Sequence, residues 1–509
     1  MATASRSSNL PLEVFYHIAE FLPDSPRFFY PLVQVNRAWY VGFISGLWGT
    51  VSLASSSLLE GDAVPNSQSA LPTFPALLSI HLHHLRHLQG SCSSIEQFLA
   101  RFPSHRIRSL NLCDDTAARS SAPLLLPSSS SIFSQTTLHS ITSLSLVQCS
   151  LTAELLSAVI MLLPQLRVLT MRHVEARTFG DQLWGAFLDS LDPTALAGQP
   201  SNPSSDSVQR LLPSDGQPTL SQLRLQILEV AFSPVLGDAV LARLIKLAGT
   251  RLRVLDISSP HHVHSPLVEQ ISQSATRLRS LTMRYRTLDP GAVAKILDAC
   301  NELTRVDFRN TFEIQPDGSR RDPLVHYQTR PHQLHKLKSL AFEDTDPSVF
   351  DFTSLLAHHR SLPDLGRNLL ELVLHEAKVV SGTLVAVLQF MPNLRRLQAP
   401  LPNTARFLAV AKQCPNLQQL CWIGPICLQD FDRLAPHALK KLQSLEFRFA
   451  TWARQDDTFS SFLAAHPVLD TLVMTGACGL DPASLAKLKQ RHPATQIRVC
   501  SFSGKPVSA

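Results

Sequence analysis

Leu252-Arg253-Val254-Leu255-Asp256-Ile257, Leu278-Arg279-Ser280-Leu281-Thr282-Met283 and Leu303-Thr304-Arg305-Val306-Asp307-Phe308 repeat one pattern: an apolar residue, two others, a second apolar residue, one other, a third apolar residue. Their first positions lie 26 (278 − 252) and 25 (303 − 278) residues apart. Further copies start at Ile107, Ile141, Leu166 and Leu225 on one side and at Leu337, Leu369, Leu394, Leu417, Leu442 and Leu469 on the other. A single copy carries little weight. Many copies in near-constant phase mean that one structural unit is stacked on itself.

The stretches between copies have a second regularity. Ala292-Val293-Ala294-Lys295-Ile296-Leu297 places apolar residues at helical spacing. Asp289-Pro290 before it reads as an N-cap followed by proline at the first helical position, and Asp481-Pro482 repeats that signal. Gly249, Pro392, Pro415, Pro467 and Pro493 stop helices just before the next strand signal. Each unit is therefore a short strand followed by a helix. Neither buries its apolar face alone, so stacked units share one core.

A strand of this pattern with a period near 26 resembles the leucine-rich repeat. The resemblance implies an α/β fold, a right-handed solenoid with short parallel strands on a concave face and helices on a convex one. It is expected over residues 77–500, with Leu77–Leu82 as a degenerate first strand. Insertions rich in Ser, Pro and Gly interrupt it near 117–135, 192–222, 315–333 and 345–366. Residues 54–76 read as a linker, 1–8 as a disordered start and 501–509 as a polar tail.

Residues 9–53 break the repeat phase. Leu10-Pro11 opens a helix whose apolar stripe is Val14, Ile18, Phe21 and Leu22. Pro23-Asp24-Ser25-Pro26 ends it; a second helix carries Leu32 and Val35, and a third runs from Arg37 through Trp39 towards Trp48. Three short helices bury too little to be robust alone. The order Leu10-Pro11, Val14, Ile18, Leu22, then Leu32-x-x-Val35-x-Arg37-x-Trp39, resembles an F-box over about 45 residues, with Asn36 where the family commonly has cysteine. The resemblance implies docking on a Skp-family adaptor of a cullin–RING ubiquitin ligase. Leu10, Pro11, Val14, Ile18, Leu22, Leu32 and Val35 would make the apolar contacts, and Trp39 would lock the three helices together. The solenoid would then hold a protein substrate. The competing reading makes the head a plain cap on a scaffold that acts outside any ligase, since terminal repeats need a cover.

Composition narrows the alternatives. The 509 residues are 44% hydrophobic and 17% charged, with a net charge of +6. That is ample apolar residue for a large core. Lys and Arg are scattered rather than run together, which weighs against a nucleic-acid partner. The nine cysteines contain no C-x-x-C pair and are odd in number, which weighs against a disulfide framework or a zinc site and points to a reducing, intracellular compartment. No signal-peptide pattern opens the chain, and no apolar run approaches the ~18 residues of a membrane span. His81, His83, His84 and His87 cluster, as do His261, His262 and His264, yet no acid or cysteine follows at a ligand spacing. Phosphate loops, dinucleotide fingerprints and nucleophile elbows are missing from the sequence, so neither a cofactor nor catalysis is expected.

In the strand pattern the third, fifth and seventh positions face away from the core, because side chains alternate. Arg284 and Arg309 occupy adjacent seventh positions, with Arg286 and Arg305 nearby. These four form a basic patch suited to a carboxylate or phosphate of a substrate. Asp307 and Glu446 lie two residues from Arg309 and Arg448, close enough to neutralise them. Val373, Pro400, Cys421 and Ile423 make the outward face more apolar towards the C-terminal half, while Trp422 points inward.

Overall fold

The backbone turns the same corner after five of the strands. Gln148, His173, Phe232, Tyr285 and Asn310 each lie four residues after the central apolar residue of a strand, and each has a positive φ between 52° and 59°. That conformation is disfavoured for a residue with a side chain. The turn is held by its own backbone: the amides of Gln148, His173 and Tyr285 donate to the carbonyls of Arg172, Ala231 and Arg309 in the next repeat.

The structure is a computed structural model. It describes residues 50–53, 85–90, 107–113, 140–148, 150–151, 165–176, 224–233, 237–258, 262–263, 265–321, 336–343, 367–375, 388–401, 404–427, 439–451, 462–475 and 482–500, with the single positions Ile95, Phe98, Leu163 and Leu384. The segment 9–49, with every proposed adaptor contact and Trp39, lies outside the described residues, as does Leu77–Leu82. The chain divides into two units, Met1–Leu252 and Arg253–Ala509.

In the N-terminal unit the strands are β1 (Thr50–Leu53), β2 (His87–Gly90), β3 (Ser109–Cys113), β4 (Ser143–Val147), β5 (Ser150–Leu151), β6 (Val168–Arg172), β7 (Glu175–Ala176) and β8 (Ile227–Ala231). β1, β2, β3, β4, β6 and β8 pair in that order, all parallel. The two-residue strands β5 and β7 make a separate parallel pair. Register sets Leu88, Leu110, Leu144, Leu169 and Leu228 side by side, and all five are buried. Helix α1 (Asp238–Ala248) follows β8 and buries Val240, Leu241, Leu244 and Ile245. It ends at Gly249, whose φ of 55° suits glycine and whose amide bonds back to Ile245.

The C-terminal unit continues the same alternation. Its elements are β9 (Val254–Ser258), β10 (His262–Val263), α2 (Ser265–Ser274), β11 (Ser280–Thr282), β12 (Thr287–Leu288), α3 (Ala292–Ala299), β13 (Arg305–Asp307), β14 (Phe312–Ile314) and β15 (Arg320–Arg321). After them come β16 (Ser339–Glu343), β17 (Glu371–His375), β18 (Arg396–Pro400), α4 (Thr404–Gln413), β19 (Gln419–Cys427), β20 (Ser444–Thr451), β21 (Thr471–Thr475), α5 (Pro482–Arg491) and β22 (Gln496–Cys500). β9, β11, β13 and β16 to β22 form one parallel ladder in chain order. β10, β12 and β14 pair parallel beside it, and β15 folds back on β14 antiparallel. Part of the expected insertion near 315–333 is thus a hairpin, closed by Gly318 at φ 78° and packed through Arg320, which lies 4.3 Å over the Phe312 ring.

The core runs beneath the strands. The first, fourth and sixth pattern positions are buried, as Leu278, Leu281 and Met283 show, and helices supply the rest, including Leu267, Val268 and Ile271 of α2. Burying each such side chain stabilises by about 1.5–3 kcal/mol before entropy is counted. One sequence expectation needs correction. α3 is not capped by Asp289 with Pro290 at its first position. Its N-cap is Gly291, at φ 76° and without a side-chain bond, and the buried Glu313 of the following repeat accepts the amide of Val293 instead. The chain takes a left-handed step at Gly291, and Glu313 supplies an acceptor that the glycine lacks. α5, in contrast, starts at Pro482 as its sequence implies.

Candidate functional site: the outward face of the strand ladder

Strand alternation leaves the third, fifth and seventh positions on the face turned away from the core, the face the burial pattern marks as half-buried in β3, β4, β8 and β21. In the C-terminal unit that face and its edges are organised by carboxylates that each serve two arginines.

Asp307 of β13 is the first. Arg284 places Nε at 2.8 Å and Nη2 at 2.6 Å from its Oδ2. Arg309 places Nη2 at 2.8 Å from Oδ2 and Nε at 3.0 Å from Oδ1, and its backbone amide also donates to Oδ1. The Asp307 side chain is 13% exposed. Burial alone pushes its carboxyl up; the hydrogen bond and charge of Arg309, joined by those of Arg284, outweigh that and hold it below its ordinary 3.8.

Glu371 of β17 is the second. Arg305, Ser339, Glu371 and Arg396 are register partners on four successive strands, β13, β16, β17 and β18. Across that row Arg396 Nη1 lies 2.9 Å and Arg305 Nη2 3.7 Å from the carboxylate, and the Ser339 hydroxyl donates to it at 2.8 Å. The acid is tucked in at 19% exposure, while Arg305 and Arg396 stand out at 65% and 53%. Glu302, just before β13, is the third: Arg253 and Arg279 lie 3.2 and 3.5 Å from its Oε2. Two more pairs join Arg448 with Glu446 at 2.8 Å and Arg172 with Glu229 at 3.1 Å.

The four arginines read from the sequence therefore separate. Arg284 and Arg309 meet on Asp307. Arg305 turns away from them to Glu371. Arg286 is 3% exposed, and its Nε donates to the Ile257 carbonyl at 2.8 Å. It faces the interior because it lies eight residues after the first leucine of its repeat, the position held by Val174, Ser233 and Thr311 in theirs, all buried. That column stitches repeats together: Ser233 Oγ accepts the Val174 amide and donates to the Ala231 carbonyl, and the Thr311 hydroxyl donates to the Met283 carbonyl. Glu302, Glu371, Arg253, Arg279 and Arg396 were missed in the sequence. Phase would have revealed both rows: Arg279 follows Leu278 as Arg253 follows Leu252, and Glu371 holds the third position of the Leu369 copy as Arg305 holds that of the Leu303 copy.

Further along, Val373 and Ile423 are buried and Cys421 and Pro400 half-buried, with Trp422 fully inside and tilted against Phe447. Burial, then the charge of Glu446, pushes the Cys421 thiol up to about 12, so it stays neutral. Among the described residues no group of three His, Cys, Asp or Glu side chains could hold a metal ion, and no helix is long and apolar enough to cross a membrane.

A repeat near 26 residues, three buried apolar positions per strand and a parallel ladder in chain order define a leucine-rich-repeat architecture. No family model matches the chain, and no curated protein matches it. Among solved structures it is similar to an internalin (inlF) of Listeria monocytogenes, at 15% identity over 66% of this chain and 87% of that one, with a TM-score of 0.35. It is also similar to a structure of the Rad7 and Elc1 complex in yeast, at 13% identity over 67% and 77%, TM-score 0.42. A third is the leucine-rich repeat-containing protein LegL7 of Legionella pneumophila, at 12% identity over 60% and 91%, TM-score 0.30.

Proposed function

We propose that this chain is a non-catalytic, intracellular substrate-recognition adaptor of a cullin–RING ubiquitin ligase. Residues 9–49 dock a Skp-family adaptor, and the strand ladder, which takes up residues 50–53 as β1, holds a protein substrate. The observation that carries the reading is the F-box-like order of Leu10-Pro11, Val14, Ile18, Leu22, Val35, Arg37 and Trp39 directly ahead of the first ladder strand, which starts at Thr50. A recognition module joined to a docking head is the arrangement such an adaptor requires. The ladder supports the other half of the reading: its outward face carries oriented arginines beside an apolar stretch, the mixture that protein interfaces use.

Co-purification of the full chain with a Skp-family adaptor tests it. The wild type should retain the adaptor. Val14→Asp with Ile18→Asp should release it while circular dichroism and thermal unfolding of the ladder stay unchanged. Retention by the double variant would return the chain to a scaffold acting outside a ligase.

A further inference from the structure

At the start of the strands from β11 to β21 of the ladder, the residue after the first buried leucine donates its amide to its counterpart one repeat back. Arg279 donates to Arg253, Thr304 to Arg279, Lys338 to Thr304, Leu370 to Lys338 and Arg395 to Leu370. These positions form a row with a step of about 4.8 Å. Over its first six members, before Gln418, Gln443 and Asp470 continue it, four are cationic, Arg253, Arg279, Lys338 and Arg395, and the next row adds Arg305 and Arg396. Against these six stand two carboxylates, Glu302 and Glu371, which leaves +4 on the stretch of edge from β9 to β18. At the opposite end of β9, β11 and β13 the balance is even: Arg284 and Arg309 are answered by Asp256 and Asp307. Charge is therefore segregated along the strands.

Sharing has a second consequence. One carboxylate between two guanidinium groups fixes both but neutralises one. Each guanidinium carries five N–H donors, more than the shared acid takes up. Arg253 and Arg396, at 3.2 and 2.9 Å from their acids, are thus partly oriented before any ligand arrives.

We propose that this edge docks an extended, acidic segment of the protein substrate, an inference that rests on reading the ladder as the substrate-binding part. An extended peptide presents same-side side chains about every 6.6–6.8 Å, so its carboxylates can meet the cations and step over Glu302 and Glu371. A nucleic acid fits less well. Duplex carries a charge about every 1.7 Å and would press phosphates onto both acids. A single strand binds through aromatic platforms, and the row supplies Thr304 and Leu370 where such platforms would stand.

The test is a fluorescent peptide of about twelve alternating Glu and Ser residues, titrated with the full-length protein at low and moderate salt. Saturable binding is expected, weakened about tenfold by Arg305→Gln with Arg396→Gln and similarly by Arg253→Gln with Arg279→Gln. Lys295→Gln with Lys412→Gln, which removes the same charge from exposed positions of α3 and α4, should leave affinity within about twofold. Equal losses in all three variants would reduce the effect to net charge and overturn the proposal. So would no saturable binding by the wild type, or tighter binding of single-stranded DNA of matched length through the same arginines. Adaptor co-purification, run on the same samples, separates the two readings: loss of the peptide with the adaptor retained strikes the acidic dock alone, and loss of the adaptor by the wild type strikes the ligase assignment.

Discussion

Arg305 and Arg396 lie three strands apart in one register row, and both turn to the carboxylate of Glu371 between them, at 3.7 and 2.9 Å. Parallel register makes this possible: it repeats one pattern position across the sheet, so residues far apart in sequence share a line.

Glu371→Gln removes the shared charge but keeps an acceptor for the Ser339 hydroxyl. Both arginines are largely exposed, so water replaces the lost pairing, and the stability cost should stay within about 1 kcal/mol. Affinity for the alternating Glu/Ser peptide should rise, because the edge gains one unit of positive charge. Chemical denaturation and fluorescence anisotropy on the same variant measure the two effects; a fall in affinity would mean that Glu371 orients the arginines more than it neutralises them.

Asp307 makes the ladder sensitive to acid. Its carboxyl titrates below 3.8 in the folded protein. A depressed folded value means that the carboxylate stabilises the fold at any pH above its unfolded value, and that this is lost as pH falls through the folded value. Asp307→Asn should therefore cost about 1–2 kcal/mol at neutral pH, a part-buried pair being worth less than a fully buried one. The gap between variant and wild type should stay flat from neutral pH to about pH 5 and shrink below about pH 4. Denaturant midpoints across that range give the curve, and a gap that persists unchanged at low pH would exclude the carboxylate as its source.

The ladder was legible because its signal is local and repeated. Each six-residue copy, from Ile107 to Leu469, coincides with a strand that starts two residues into it. Where the local signal fails, so does the reading. In β2 the sixth position is Gly90, and in β22 the first is Ala494, which is exposed at the end of the ladder. β1 carries the pattern as Trp48-x-x-Val51-x-Leu53, absorbed in the sequence by the helical head. β10, β12 and β15 are two residues long, too short for any periodicity to register. The site was half legible: phase makes Arg284, Arg309 and Asp307 neighbours and sets Arg305 in one row with Glu371, whereas the choice of acid, Glu371 rather than Asp307 for Arg305, rests on side-chain rotamers that phase does not fix.

Arg284 and Arg286, two residues apart, differ in burial and so in what each contributes to stability. Arg286→Ala should cost about 2–4 kcal/mol, since it opens a cavity and strips the Ile257 carbonyl of a buried donor. Arg284→Ala, on a half-exposed side chain, should cost about 1 kcal/mol or less. Thermal unfolding ranks the two; equal losses would contradict the burial of Arg286.

Glu313 reports on how one repeat holds the next. Its side chain is buried and accepts the Val293 amide at 3.1 Å, one residue into α3, a helix whose own N-cap residue has no side chain to offer. The positive end of the helix favours an acidic acceptor there. Glu313→Ala should destabilise by about 1–2 kcal/mol and speed hydrogen exchange at Val293 before exchange rises elsewhere in α3. Glu313→Gln keeps an acceptor of the same length, so it should preserve protection at Val293 and lose only the electrostatic part. If both substitutions expose Val293 equally, the interaction is one of charge with the helix rather than a hydrogen-bonded cap. If neither does, the repeats are coupled through their apolar contacts, Ile296 and Leu297 among them, and the buried glutamate is incidental to that coupling.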